Sequence, residues 1–184
     1  MKEENPWKII SSEIKYDNQW ISVTEYDVLN PAGKEGIYGV VNFKNAAITV
    51  LPLDDDYNTY IVGQYRFPIN EYSWEVPEGG GNKNLSPLES AKRELLEETG
   101  LKAEEWTLIQ ELHLSNSATD EVGYIYVAKK LSQHDAEPEE TESLQIKKLP
   151  FDELYEMVMS NKIKDALTIN AVLKAKLLML EGKL

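Results

Sequence analysis

The stretch Val76–Leu101, VPEGGGNKNLSPLESAKRELLEETGL, sets a glycine-rich turn directly before a segment with strong local marks of a helix. Ser86 occupies the N-cap position, Pro87 has no N–H to leave unsatisfied at the first helical position, and Glu89 completes an S-x-x-E capping box. Thr99-Gly100 supplies the stop, because glycine takes the left-handed geometry of a C-terminal cap without a Cβ clash. The spacing predicts a helix of roughly three and a half turns starting near Pro87.

At about 100° per residue, Glu94, Glu97 and Glu98 share an arc of roughly 100°, with Leu88 and Leu95 beside it. Carboxylates packed in this way repel one another unless a cation sits among them, and hard oxygen donors at that density suit Mg²⁺ or Mn²⁺. A bare E-x-x-E-E equally describes a solvated acidic face paired with Lys92 and Arg93. The longer string distinguishes the two readings. R-E-L-L-E-E-T-G-L, preceded at the right distance by a glycine, resembles the Nudix box, G-x5-E-x7-R-E-U-x-E-E-x-G-U with U a bulky aliphatic. Gly79, Arg93, Glu94, Leu95, Glu97, Glu98, Gly100 and Leu101 match it. One position departs: Leu85 stands where the family has a glutamate that helps hold the loop against the helix. Arg93 then needs another acid, and Glu89, one turn before it, is expected in preference to Glu97, which the metal would claim.

Composition narrows the function classes. A chain of 184 residues is long enough for one well-buried core with a small appendage. Nineteen basic against 32 acidic residues give a net charge of −13, which opposes binding to nucleic acid or to an anionic membrane surface. The absence of cysteine excludes disulfides, thiolate metal sites and a cysteine nucleophile. No apolar run reaches the length of a membrane span, and MKEENPWK lacks the apolar core of a signal peptide, so a cytoplasmic protein is expected.

Along the chain, Trp7–Tyr16, Trp20–Leu29 and Gly36–Phe43 read as strands of a small antiparallel sheet, with turns at Asp17-Asn18 and Asn30–Gly33. Ala46–Leu53 and Tyr60–Arg66 read as a further hairpin around the solvated turn Asp54-Asp55-Asp56. Trp106–Leu114 and Val122–Lys129 flank a polar loop, Ser115–Glu121. Phe151–Ser160 and Asp165–Glu181 read as helices, the second N-capped by Asp165. His113 and His134 have no partner histidine at ligand spacing and are read as structural or solvated. Only two arginines occur, Arg93 in the box and Arg66 in V-G-Q-Y-R. A guanidinium can grip phosphate oxygens through paired hydrogen bonds, so Arg66 is a candidate substrate ligand; pairing with a nearby carboxylate is the alternative.

Q-Y-R followed by W-E-V-P-E-G resembles the ADP-ribose pyrophosphatase branch of the Nudix hydrolases, over nearly the whole chain. The resemblance implies an α/β/α sandwich with a mixed β-sheet, the Nudix fold, in residues 45–184, and an antiparallel strand appendage for dimerisation in residues 1–44. It implies Mg²⁺ or Mn²⁺ held by Glu94, Glu98 and Glu97 with the Glu78 carbonyl, and a water oriented or deprotonated by Glu140 or Glu142, with Glu97 in support. In that branch strands exchange between subunits and aromatic residues clamp the base, which points to Trp20 and Tyr38; burial of both in a dimer interface is the alternative. The loop carrying Asp120 and Glu121 would reach the distal sugar. The implied substrate is a nucleoside diphosphate sugar, foremost ADP-ribose cleaved to AMP and ribose 5-phosphate. A GDP-hexose, or a non-catalytic domain that binds a nucleotide, are the alternatives.

Overall fold

A computed structural model describes residues 4–134 and 144–184, so Glu140 and Glu142 lie outside the described residues. The chain divides into two compact units: residues through Asn45 together with His113–Glu121, and Ala46–Leu112 together with Val122–Leu184.

The first unit is an antiparallel meander of β1 (Lys8–Asp17), β2 (Ile21–Leu29) and β3 (Glu35–Phe43), close to the expected bounds. Short polar side chains make its turns. Asn18 Oδ1 accepts from the N–H groups of Trp20 and Ile21, both at 2.8 Å, and Asn30 Oδ1 accepts from those of Ala32 and Lys34, both at 3.0 Å. The segment His113–Glu121 is stitched to β3 by Val41 N–H to the Ala118 carbonyl at 2.9 Å and by Phe43 N–H to Asp120 Oδ1 at 2.7 Å.

The second unit contains β4 (Asn45–Pro52), β5 (Asn58–Arg66), β6 (Glu71–Glu75), β7 (Glu78–Asn82), α1 (Pro87–Thr99), β8 (Leu101–His113), β9 (Val122–Gln133), β10 (Gln145–Pro150), α2 (Phe151–Met159) and α3 (Ala166–Leu180). It has a mixed sheet in the order β7-β4-β9-β8 and a second sheet, β10-β5-β6. The expected hairpin of β4 and β5 is therefore corrected: β4 runs parallel to β9, with Ile48 opposite Tyr124 and Val50 opposite Tyr126, while β5 pairs with β10 and β6. The apolar run of β4 suits this place, because a strand paired on both sides and covered on its face needs no polar alternation.

On that face Ile48, Val50 and Tyr126 pack with Ala91 and Leu95 of α1, and Leu95 is fully buried. Burying one such leucine contributes about 1.5 to 3 kcal/mol. Helix α1 also packs on β7, α3 on β9, and α2 on β5 and β10, which gives the α/β/α arrangement. Helix α3 starts as its sequence predicts, with Asp165 Oδ2 accepting the Thr168 N–H at 2.6 Å, and it buries Leu167, Ala171 and Ala175.

The Asp54 turn is more than a solvated acidic run. Asp54 Oδ1 accepts the Asn58 N–H at 2.7 Å, and its Oδ2 lies 2.7 Å from Lys148 Nζ on β10. Burial pushes this carboxyl up, but the hydrogen bonds from Lys148 and Asn58 outweigh burial and hold it below the usual 3.8. A depressed carboxylate stabilises the fold above its unfolded pKa, and that contribution is lost as pH falls through the lower folded value. The stability difference between wild type and Asp54→Asn, from urea midpoints, should therefore shrink as the pH is lowered below the ordinary aspartate range. A difference that stayed constant there would show that Asp54 charge does not hold the turn.

Candidate active site

The glycine corner and α1 build the site together. Gly100 ends the helix in the left-handed conformation, φ 69°, donating its N–H to the Leu96 carbonyl at 2.8 Å. Pro87 lies in the first turn as expected. The capping box is not formed: Ser86 makes no side-chain cap bond, and Glu89 turns outward to Lys92 Nζ at 2.8 Å. A lysine three residues on is a nearer partner for an exposed glutamate than a backbone N–H behind it.

Glycine at 79 and glycine at 81 are required by different neighbours. A Cβ at Gly79 would fall 2.3 Å from the Glu94 carboxyl, and one at Gly81 would fall 2.6 Å from Ile48 Cγ1. The loop backbone thus lies directly against the carboxylates of α1. Glu94 and Glu98 are buried, at 7% and 2% exposure, and Glu98 Oε2 accepts the Glu78 N–H at 2.9 Å.

Arg93 joins loop to helix. Its Nη1 donates to Glu97 Oε2 at 2.5 Å, and its Nη2 donates to Glu94 Oε1 at 2.5 Å and to the Gly80 carbonyl at 2.9 Å. Burial alone would lower its pKa, but the charges of Glu94 and Glu97 outweigh burial and raise it. The expected Arg93–Glu89 pair is corrected accordingly: Arg93 leans toward the loop, where two carboxylates and a carbonyl converge, while Glu89 faces solvent. Leu85 is exposed and borders a recess of about 370 Å³ with Ile48, Pro87, Val122 and Tyr124.

Arg66 is bound along one edge. Its Nε donates to Glu75 Oε1 at 3.0 Å and Oε2 at 3.1 Å, while its Nη2 reaches Glu75 Oε2 and lies 2.8 Å from Glu78 Oε1. Carboxylate oxygens of Glu75, Glu78 and Asp165 lie within 4.8 Å of one another. Burial, then the charges of Asp165 and Glu75, push the Glu78 carboxyl well above its usual range, against the opposing pull of Arg66. Glu75 and Asp165 were not singled out as site residues from the sequence; the only signals were the W-E-V-P-E-G string and the N-cap position.

Among the described residues, the carboxylates close enough to share a divalent cation are those of Glu75, Glu78 and Asp165, and Glu78 Oε2 there is buried without a hydrogen-bond partner. The buried carboxylates of Glu94 and Glu98 are joined to this corner through the Glu78 N–H that Glu98 accepts. Glu78, Glu94, Glu97, Glu98 and Arg66 thus fall in one group. Trp20, Tyr38, Asp120 and Glu121 belong to the other unit. There, Trp20 is 62% exposed, whereas Tyr38 donates its hydroxyl to the Ser117 carbonyl at 2.5 Å and meets Trp7 edge-on at 5.3 Å. Asp120 accepts from Phe43 N–H and, at 3.3 Å, from Asn42 Nδ2, while the Glu121 carbonyl lies 3.3 Å from His113 Nδ1.

A substitution at Gly79 separates site from fold. The atom that an added methyl meets is the far end of a flexible side chain, so Gly79→Ala should displace the Glu94 carboxylate and weaken Mn²⁺ binding about 10- to 100-fold with little change in melting temperature. Gly81→Ala, which meets the packed Ile48, should instead lower the melting temperature. Titration calorimetry and thermal melts of both variants check this, and unchanged Mn²⁺ affinity in Gly79→Ala would count against the site.

Comparison with known proteins identifies the family. Residues 43–169 match the family model for the NUDIX domain, and residues 7–41 match that for the nucleoside diphosphate sugar hydrolase N-terminal domain. The chain is 29% identical over 167 residues to an ADP-ribose pyrophosphatase of Bacillus subtilis, with 90% of each chain covered. It is 28% identical to an ADP-ribose pyrophosphatase of Mycobacterium tuberculosis, covering 92% of this chain and 83% of that one. A GDP-mannose pyrophosphatase of Yersinia enterocolitica is 26% identical, with 87% of this chain and 90% of that one covered. A solved structure described as an ADP compounds hydrolase superposes with a TM-score of 0.86 at 22% identity over the full length of both chains, which shows the shared fold. With the NUDIX match spanning most of its length and the box residues gathered as described, the chain belongs to the Nudix hydrolase family.

Proposed function

We propose that this protein hydrolyses the pyrophosphate bond of a nucleoside diphosphate sugar, with ADP-ribose as substrate and AMP and ribose 5-phosphate as products. The observation that carries the reading is the pair of buried carboxylates, Glu94 and Glu98, fastened to the glycine corner by the Glu78 N–H and by the close approach of Gly79. Relatives named ADP-ribose pyrophosphatase along nearly the whole chain support the choice of substrate. The Yersinia relative's name supports GDP-hexose as the second reading.

Glu94, Glu98 and Glu97, with the Glu78 carbonyl, would hold Mg²⁺ or Mn²⁺, which when bound neutralises charge on the diphosphate and lowers the pKa of a water. Arg66, gripped along its Nε–Nη2 edge, has Nη1 left to hold a phosphate oxygen. Glu140 or Glu142 orients the attacking water or takes its proton, and Glu97 supports that role. The water oxygen then bonds to one phosphorus while the bridging P–O bond breaks, and the leaving phosphate keeps the bridging oxygen.

Trp20 and Tyr38 flank the base, and the loop with Asp120 and Glu121 reaches the sugar. The chain acts as a cytoplasmic homodimer, and among the described residues no helix is long and apolar enough to cross a membrane. Dimerisation is supported by β1, every residue of which is exposed in the single chain, Ile9, Ile10, Ile14 and Tyr16 included. Such a strand in a three-stranded appendage buries too little apolar surface by itself.

A panel of nucleoside diphosphate sugars with Mg²⁺, read by product identity, tests the activity. ADP-ribose should be cleaved fastest, and Glu98→Gln should fold normally yet lose turnover by orders of magnitude. Cleavage confined to GDP-hexoses would select the second reading, and no cleavage of any member would leave a nucleotide-binding domain. Light scattering should give twice the 21.0 kDa chain mass at working dilution; an active monomer would refute the dimer.

A further inference from the structure

Four consecutive residues, Glu75 to Glu78, form the corner between β6 and β7, and each is tied to a different element. Glu75 takes the Arg66 guanidinium of β5 through three contacts. Val76 donates its N–H to Thr168 Oγ1 of α3 at 3.1 Å. The Pro77 carbonyl accepts the Val50 N–H of β4 at 2.8 Å. Glu78 donates its N–H to Glu98 of α1, and its own carboxylate takes Arg66 Nη2. Arg66 therefore closes the corner on itself by joining its first residue to its last.

Within that closure the two acids are not equivalent. Glu75, 2% exposed, holds the guanidinium along its edge, and paired contacts of this kind fix the plane as well as the position of the group. Glu78 contributes one contact to the same group. If Glu75 lost its charge, Arg66 would be left with Glu78 as its one carboxylate contact, Asp165 being the other acid of the same cluster. The Arg66 contact and the N–H that Glu98 accepts both belong to Glu78, so the first bears on the second.

We propose that Glu75 is a positioning residue for the cation-binding carboxylates, acting through Arg66 and the Glu78 peptide to set the orientation of Glu98. The inference rests on the reading of Glu94 and Glu98 as cation ligands. It assigns to Arg66 a support role alongside its contact with substrate. It also predicts that lysine would not replace Arg66, since an ammonium offers no flat edge to hold Glu75 while reaching Glu78.

The test is Mn²⁺ binding by electron paramagnetic resonance on substrate-free protein, with thermal melts and with kcat and KM on ADP-ribose. Glu75→Gln should weaken Mn²⁺ about 10- to 100-fold, as loss of a supporting contact behind a metal ligand does, and lower kcat, with KM raised as well because Arg66 is displaced from the phosphate. Glu75→Asp, which keeps the charge, should recover part of each loss. Because Glu75→Gln leaves a buried arginine less well compensated, the triple variant Arg66→Met/Glu75→Met/Glu78→Gln is measured alongside it; with no charge of the Arg66 group left unpaired it should fold and show the same weakened Mn²⁺ binding. Wild-type Mn²⁺ affinity and kcat in either folded variant would overturn the proposal. So would losses that merely track the melting temperature and are not relieved by Glu75→Asp. If Glu98→Gln abolishes Mn²⁺ binding while Glu75→Gln leaves it intact, only this inference falls. If wild type itself binds no Mn²⁺, the cation reading falls and this inference with it.

Discussion

The crowding of negative charge at the glycine corner is the constraint on which the site depends. Glu75, Glu94 and Glu98 are buried, Glu78 nearly so, and the two arginines of the whole chain both stand among them. Elsewhere the acidic surface is met by lysines, as in Lys92–Glu89, Lys164–Glu71 and Lys176–Asp152. Exposed pairs of that kind are worth about 0 to 1 kcal/mol each and need no fixed geometry. At the corner, position matters more than attraction, and a planar group with several donors is the cation that can bond two acids or an acid and a carbonyl at once. Buried ion pairs are weak evidence for stability. Their use here is to hold carboxylates in places that the acids would otherwise repel one another out of.

Local chemistry made part of this legible in the sequence. Pro87 and Gly100 bound α1 because a residue without an N–H and a residue without a Cβ are each suited to one helix end, whatever surrounds them. Asp165 caps α3 for an equally local reason. The E-x-x-E-E face was ambiguous from spacing alone, and it took the arrangement of glycine, arginine and aliphatic residues around it to favour a cation site. Pairings between distant segments were not legible. The apolar runs of β4 and β5, separated by an acidic turn, fit a hairpin as well as they fit two different sheets, and only the return of β9 beside β4 decides between them. The same limit hid Glu75, whose neighbours are Arg66 of β5 and Asp165, the cap of an α3 that begins about 90 residues later.

Glu89 shows a subtler failure. Both Glu89 and Glu97 lie one turn from Arg93, and helix geometry treats them alike. The difference is the glycine corner, which offers the Gly80 carbonyl to the same guanidinium that Glu94 and Glu97 accept from. Arg93 is drawn to the side where three acceptors converge, and Glu89 is left to a lysine on the solvent face. A side chain with five donors selects the environment that satisfies the most of them, which pairwise spacing on one helix does not describe.

That choice also accounts for leucine at position 85. A glutamate there would anchor the loop through its own carboxylate, yet the loop is already fastened to α1 at two points without it, the Gly80 carbonyl on Arg93 and the Glu78 N–H on Glu98, while the Leu85 N–H closes a turn on the Asn82 carbonyl at 2.9 Å. Both bonds to α1 are charge-assisted and therefore stronger than neutral hydrogen bonds. The Leu85 side chain is free to border the recess beside Ile48 and Tyr124 instead of serving the helix. The departure from the box thus moves the anchor from a side chain to the backbone, and the carboxylates that the box exists to place, Glu94 and Glu98, keep both their burial and their contacts with the loop.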